Sequence, residues 1–185
     1  MNRFFVIIAA VLMLQACGGT QETPDPQRDA LAAAIAGKVG ADAQVTFTAF
    51  TKADSTTFGQ EFDHRCKVFD MKLEQDTKLY EEYRGKHMDV NADKKRKAIA
   101  SDKHIIAGLE GIAASIEGSR DDVAYYDYVF SGHAKTASGD VVFENYWASI
   151  TPDGKVLCFQ PEQKGLHKAL GRVLPGYEAL VKGEE

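Results

Sequence analysis

The sequence predicts an α+β domain in which a long antiparallel helical hairpin packs on a curved antiparallel sheet of about four strands. Two consecutive stretches carry apolar residues at helical spacing, and the pattern then changes to alternation between tight-turn signals. The chain has 185 residues, 44% of them hydrophobic and 26% charged, which suits one globular domain with a sizeable core. The predicted element order is α-β-α-α-β-β-β-α.

The first two elements are a short helix and a strand. Asp25 can cap the helix with Pro26 at its first position, and an alanine-rich run follows. Apolar and polar residues then alternate over residues 45–49, which predicts a strand with one buried face. The polar run from Lys52 to Ser55 predicts a turn into the next helix.

Two long helices form the predicted hairpin. The first carries an apolar stripe at spacings of three and four, interrupted at Asp76, and is expected to end near Gly85. Asp89 or Asn91 can cap the second helix, whose apolar spacing continues to Gly118. Because the connection is short, the two helices should run antiparallel. The stripe of the first helix consists of Phe58, Phe62, Cys66, Phe69 and Leu73.

Three strands and two short helices complete the domain. The strands are predicted over Val123–Ala134, Val141–Ile150 and Lys155–Phe159, with a Pro-Asp-Gly turn before the last. Such tightly connected strands form an antiparallel meander. Leu166–Leu170 and Tyr177–Val181 are predicted as the terminal helices.

The opening segment has the features of a targeting signal. Arg3 precedes an apolar run from Phe4 to Leu14, which is too short for the roughly twenty residues that a membrane-spanning helix needs. The run ends in the residues LQAC, which resemble the lipobox of bacterial lipoproteins. That resemblance implies that Cys17 receives a diacylglycerol and becomes the acylated first residue of the mature chain. The alternative is a plain signal peptide followed by an incidental cysteine.

The resemblance sets the expected domain organisation and location. Residues 1–16 are then a lipoprotein signal peptide, residues 17–26 a lipidated tether, and residues 27–185 a single α+β domain. Gly18 rather than aspartate follows the cysteine, which by analogy with enteric bacteria favours the outer membrane, with the protein facing the periplasm. The expected partner is therefore the membrane, through the lipid anchor. The formal charge of −5 argues against nucleic acid as a partner.

Two further cysteines remain once Cys17 is set aside. An oxidising compartment and an even count suggest a disulfide between Cys66 and Cys158. The alternative is a pair of buried free thiols that act as small hydrophobic side chains.

The sequence offers no catalytic signature. None of its five histidines lies in a zinc-binding spacing, and no phosphate-binding glycine loop or nucleophile elbow occurs. We therefore expect no metal and no cofactor, assign no catalytic residue, and lean against an enzyme. The sheet is rich in aromatic residues on both faces, so one face could bind an apolar ligand, a glycan or a peptide. The candidate binding residues are Tyr126, Tyr128, Tyr146 and Trp147.

The closing strands also carry a resemblance. The run VAYYDYVFSGHAKTASGDVVFENYWASITPDGKV resembles the last strands of the SnoaL-like (nuclear transport factor-like) fold, the α+β cone that ketosteroid isomerase also uses. The leading hypothesis is a non-enzymatic envelope lipoprotein that binds a ligand or a protein partner. The first alternative is a small SnoaL-like enzyme with Asp127 or His133 in a sheet-lined pocket. The second is a structural envelope component that works through the helical hairpin.

Overall fold

The computed structural model of the protein describes residues 25–165 and 170–182, and its elements confirm the predicted order. The four strands form one open antiparallel sheet in the order β1-β2-β3-β4. The predicted signal peptide, Cys17 and most of the predicted tether lie outside the described residues. The helices are α1 (Pro26–Val39), α2 (Phe58–Gly85), α3 (Asp89–Ile116) and α4 (Tyr177–Lys182), with 3-10 turns at Glu117–Ser119, Gln163–Gly165 and Gly171–Val173. The strands are β1 (Gln44–Thr57), β2 (Val123–Thr136), β3 (Gly139–Ile150) and β4 (Val156–Gln160).

Helix α1 lies across one face of the sheet, which we call the covered face. Asp25 caps the helix as predicted, because its carboxylate accepts the backbone N–H groups of Gln27 at 3.0 Å and Arg28 at 3.2 Å. Leu31 and Ile35 are fully buried against the sheet. The residues packed around them on the sheet include Tyr128, Phe130, Ala134, Phe143, Ala148 and Ile150.

Strand β1 is longer than predicted, and the turn expected over Lys52–Ser55 is wrong. These residues continue the strand, with Lys52 opposite Tyr128 and Ser55 opposite Tyr126. The polar composition misled the prediction because β1 is an edge strand, whose outer side faces water. Extra residues in β1 break the register twice, between Phe47 and Ala49 and again at Ala53, and such bulges blunt an exposed edge.

The hairpin of α2 and α3 meets the sheet at its base. The backbone N–H groups of Phe58 and Gly59 donate to the carbonyls of Asp122 and Arg120, at 3.1 Å and 2.8 Å. Each helix has 28 residues and is therefore about 42 Å long. Helix α2 begins with a capping box formed by Thr57 and Gln60. The predicted caps of α3 are wrong: Met88 precedes the helix and makes no side-chain capping bond.

The C-terminal residues pack where the hairpin and the sheet meet. Leu170 is buried beside Ala124 and Tyr125, and Leu180 of α4 contacts the hairpin at Gly108. The second predicted terminal helix is confirmed as α4. The first falls largely on residues 166–169, outside the described residues. Within the described part of the chain, the helices are too short or too polar to cross a membrane.

Candidate functional site

The four aromatic residues predicted to bind a ligand do not share a surface. Tyr126, Tyr128 and Tyr146 pack on the covered face with the core beneath α1. Tyr128 is only 6% exposed and stacks on Phe50 at 4.4 Å between ring centroids. Trp147 lies on the opposite face, against the cluster of Ala124, Tyr125 and Leu170. The aromatic binding face predicted from the sequence is therefore largely the protein's own core.

A β-bulge in β3 also changes which of its aromatic residues share a face. Phe130 pairs with Tyr146 whereas Gly132 pairs with Phe143, so β3 holds one residue more than β2 between these pairs. Asn145 adopts a φ of +51°, and its N–H donates to Ser131 Oγ at 3.0 Å. Phe143 and Tyr146 consequently share a face, against the strict alternation assumed from the sequence. Asparagine, which is uncommon in strands and tolerates positive φ, was the available signal.

The face opposite α1, which we call the open face, carries a solvent-accessible groove. The groove has a volume of about 470 Å³ and lies toward the β2–β3 turn, at the end of the sheet remote from the hairpin. In the register of the sheet, His133 lies between Thr46 of β1 and Val142 of β3. The lining residues are Thr48, Ser131, Gly132, His133, Asp140, Val142, Phe143 and Glu144.

The groove is built around Gly132. A Cβ at this position would come within 2.2 Å of the Thr46 carbonyl oxygen, so only glycine permits the close approach of β1 to β2. The register breaks next to Gly132 on both neighbouring strands, and such bulges bend strands and redirect side chains. These bulges bring together hydroxyl groups, an imidazole and two carboxylates on one surface. This set can hydrogen-bond a polar ligand, especially one that offers N–H or O–H donors.

Sequence reasoning placed His133 on a strand but missed most of the groove. Ser131, His133 and Lys135 alternate along the end of β2, which is the ordinary pattern of a solvent-facing sheet surface. The pattern therefore showed which residues share a face. It gave no sign of the concavity, because the bulges that create it depend on pairing between strands.

Asp127 belongs to a cross-strand row rather than to the groove. Asp127, Ser149 and Cys158 are paired successively across β2, β3 and β4. Ser149 is fully buried, and its hydroxyl donates to the Asp127 carboxylate at 2.5 Å. Burial raises the pKa of the Cys158 thiol, although hydrogen bonding with Ser149 acts in the opposite direction. The thiol is therefore less ionised at neutral pH than a free cysteine, which makes it a poor nucleophile.

The two cysteines are free thiols in this structure, so the suggested disulfide is not formed. Cys66 packs into the hairpin cluster beside Phe69 and Leu109, whereas Cys158 packs into the cluster of Ala124 and Tyr125. Burial, followed by the charges of nearby aspartates, raises the pKa of the Cys66 thiol. Both are free thiols packed among apolar side chains, as the alternative expected, but they are half-buried rather than buried.

A buried ionic network joins the hairpin to the sheet. Glu61 is 2% exposed, pairs with Arg65 Nε at 2.5 Å and accepts the hydroxyl of Tyr125 at 3.0 Å. Burial raises the pKa of Tyr125 well above its usual value, so this hydroxyl stays protonated and donates to Glu61. The Arg65 guanidinium also lies 5.8 Å from the ring centre of Tyr177 in α4. These groups satisfy one another, which gives the network a structural role.

Two ion pairs connect the helices farther along the hairpin. Lys72 of α2 contacts Asp102 of α3 at 2.5 Å, and Lys95 of α3 contacts Asp76 of α2 at 2.7 Å. Asp102 is fully buried, and its Oδ2 has no hydrogen-bond partner among the described residues. Asp76, which interrupts the predicted apolar stripe of α2, is thus paired with a lysine of α3.

Comparison with protein-family models, with curated proteins and with solved structures finds no match to this chain. In the part of the chain that the structure describes, no three histidine, cysteine or acidic side chains are grouped as metal ligands. The groove is therefore the candidate site, on the strength of its geometry and chemistry.

Proposed function

We propose that this protein is a lipid-anchored component of the bacterial envelope that binds a polar ligand or a protein partner in the groove of the open face. The observation that carries the proposal is the convergence of His133, Glu144 and two hydroxyl side chains on one concave, solvent-accessible surface. The lipobox-like residues before Cys17 support the anchor, which would hold the domain at the membrane surface.

The chemistry of the groove favours a polar ligand over the apolar ligand expected from the aromatic residues. Its lining includes the carboxylates of Asp140 and Glu144, the imidazole of His133 and the hydroxyls of Thr48 and Ser131. A ligand with amine, amide or hydroxyl donors could satisfy these acceptors together. Val142, which is 60% exposed, supplies an apolar contact at the centre.

The enzyme alternative has less support. A SnoaL-like site would lie in a pocket between the helices and the sheet. Here the space between α1 and the sheet is filled by Leu31, Ile35 and aromatic rings. His133 faces the open groove instead, and Asp127 accepts a hydrogen bond from Ser149.

The groove is tested by site-specific photocrosslinking in producing cells. A benzophenone amino acid replaces Val142 in the groove, and in a matched chain it replaces Met71, an apolar residue of α2 that is equally exposed at 60%. We expect an adduct of defined mass, by intact-protein mass spectrometry, from position 142 only. It should weaken when His133→Ala and Glu144→Gln are added. Equal adducts from both positions, or none from position 142, would contradict binding in the groove.

The anchor is tested separately. A Cys17→Ala variant should lose metabolic labelling with a fatty acid and leave the membrane fraction. Continued lipid labelling of this variant would refute the assignment of Cys17, whatever the crosslinking shows.

A further inference from the structure

The end of the helical hairpin is basic in an acidic protein. The segment Tyr83–Lys97, which we call the tip, holds six lysine and arginine residues and two aspartates, a formal charge of +4. Two of its cations, Lys86 and Lys95, pair with Glu82 and Asp76 outside the segment, which leaves an excess of two positive charges. The whole chain has a formal charge of −5. The tip includes the turn between α2 and α3 and the first turns of α3. It therefore has the opposite sign to the rest of the molecule.

The tip also exposes apolar side chains among its cations. Met88 is 40% exposed and Val90 is 71% exposed. Lys94 is exposed, and Arg96 and Lys97 share the single carboxylate of Asp93, so the local cationic charge exceeds the anionic charge. Exposed apolar residues flanked by basic ones suit the headgroup region of an anionic bilayer, which attracts cations and accepts apolar side chains at its boundary.

The tether leaves the domain at the end of the sheet from which the hairpin begins. Gln27, in the first turn of α1, donates through Nε2 to the carbonyl of Pro152 at 3.1 Å, so the start of α1 lies beside the β3–β4 turn. That turn follows Ile150, which pairs with Tyr126, and Tyr126 pairs with Ser55 just before α2 begins. The start of α1, to which the tether is joined, and the base of the hairpin therefore lie at the same end of the sheet.

Distances make contact with the membrane feasible. Only seven residues lie between Cys17 and Asp25, and these eight residue-to-residue steps span at most about 28 Å when fully extended. The hairpin, about 42 Å long, leaves the same end of the sheet. It is long enough to reach the bilayer to which the tether would be attached. The groove lies toward the other end of the strands, by the β2–β3 turn.

We propose that the tip docks on the anionic headgroups of the membrane that holds the lipid anchor. The inference rests on the proposed anchoring at Cys17 and gives the hairpin a role in it. The tip and the anchor would form two attachment points, which orient the domain so that the groove faces away from the bilayer. A second weak attachment close to a lipid anchor needs little affinity, because the anchor already raises its effective concentration.

The test uses the lipidated mature protein reconstituted in vesicles that contain a spin-labelled quencher lipid. A fluorescent amino acid replaces Val90 in the tip or, as the matched control, Val142 in the groove. In vesicles with phosphatidylglycerol we expect quenching at position 90 and not at position 142. High salt and pure phosphatidylcholine vesicles should both reduce the quenching, because they weaken the attraction between the cations and the headgroups.

Charge variants sharpen the result. The quenching at position 90 gives the ratio of docked to undocked tip. Lys94→Gln with Lys97→Gln should reduce this ratio by about fivefold for each lysine replaced. Lys135→Gln with Lys164→Gln removes the same charge outside the tip and should leave the ratio unchanged.

The outcomes separate this inference from the proposed anchor. If the purified protein carries no lipid and does not stay on the vesicles, the anchor is refuted. If it stays on the vesicles but positions 90 and 142 are quenched equally, docking of the tip is refuted. Equal quenching with and without phosphatidylglycerol would refute the role of anionic headgroups. Protection of position 90 only after envelope proteins are added would make the tip a protein contact and overturn the proposal.

Discussion

The sheet with α1 and the distal half of the hairpin are held together by different means. In the sheet, Phe130 is fully buried and lies within 6.0 Å of the ring centres of Phe47, Phe143 and Tyr146. In the distal hairpin, the helices are joined through the Lys72–Asp102 and Lys95–Asp76 pairs. Aromatic burial supplies stability directly, whereas each of these ion pairs must first offset the cost of desolvating its buried carboxylate. Our interpretation is that the hairpin pairs set the register of the helices more than they stabilise them.

The largest effect is expected from the centre of the sheet. Phe130→Ala leaves a cavity beneath α1 and should lower the free energy of unfolding by about 3–5 kcal/mol. Urea denaturation followed by circular dichroism measures this. Val142→Ala, on the exposed side of the same sheet, is the control and should change it by less than about 0.5 kcal/mol. A similar small loss in both variants would show that the aromatic core is not what holds the sheet.

The junction between the two regions should be nearly as sensitive. Glu61→Ala leaves a buried guanidinium and a buried tyrosine hydroxyl without their acceptor, and we expect a loss of about 3 kcal/mol in the same assay. Glu82→Ala is a matched control, because Glu82 makes an ion pair of the same spacing with Lys86 on the exposed surface of α2. Its urea midpoint should stay at the wild-type value, and equal losses would refute a special role for burial at Glu61.

Two glycines should respond with opposite signs. Gly132→Ala forces a side chain against the Thr46 carbonyl and should destabilise the sheet by about 2 kcal/mol. Gly111→Ala in α3 meets nothing within 4 Å and should stabilise the hairpin by about 0.8 kcal/mol, because alanine has the higher helix propensity. Thermal unfolding of both variants measures the difference. A Gly132→Ala variant as stable as the wild type would contradict the close approach of β1 to β2 at this position.

Replacing an entire ion pair should have a smaller effect than breaking it. The double variant Lys72→Met with Asp102→Leu removes both charges and the unsatisfied Asp102 oxygen, so its free energy of unfolding should fall by less than about 1 kcal/mol or rise. Lys72→Met alone leaves Asp102 buried without its cation and should be the less stable of the two. The reverse order would mean that the pair is a net source of stability.

The smallest effect is expected from the thiols at alkaline pH. Because burial raises the pKa of Cys66 and Cys158 in the folded state, the folded protein retains protons that the unfolded chain releases. Their contribution to stability is complete below the unfolded thiol pKa of about 8.5 and is lost as pH rises through the folded values. The urea midpoint should fall between pH 8 and pH 10, and it should fall less in the double variant Cys66→Ala with Cys158→Ala.

The state of the two thiols can be measured directly by alkylation of the unfolded protein without reductant. Both thiols should be modified, and a pair protected from the reagent would indicate a disulfide.

The sequence by itself determined the order of the elements and the bounds of most of them. Helical spacing in α2 and α3, the Asp25–Pro26 start of α1 and the turn signals between strands are local, and each is satisfied by neighbours in the chain. The sequence also showed that Asp76 interrupts the apolar stripe of α2. It did not show that Lys95 of α3 is the partner of Asp76, because pairing between helices depends on their register.

Only the tertiary structure decided which side of the sheet is core and where the groove lies. Strict alternation along β3 would place Phe143 and Trp147 on one face, but the extra residue at the Asn145 bulge puts them on opposite faces. Because α1 packs on the covered face, the tyrosines of that face are part of the core. His133 lies on the opposite side of the sheet, in the open groove. Bulges and helix coverage arise from contacts between distant segments, so a pattern read along the chain cannot specify them.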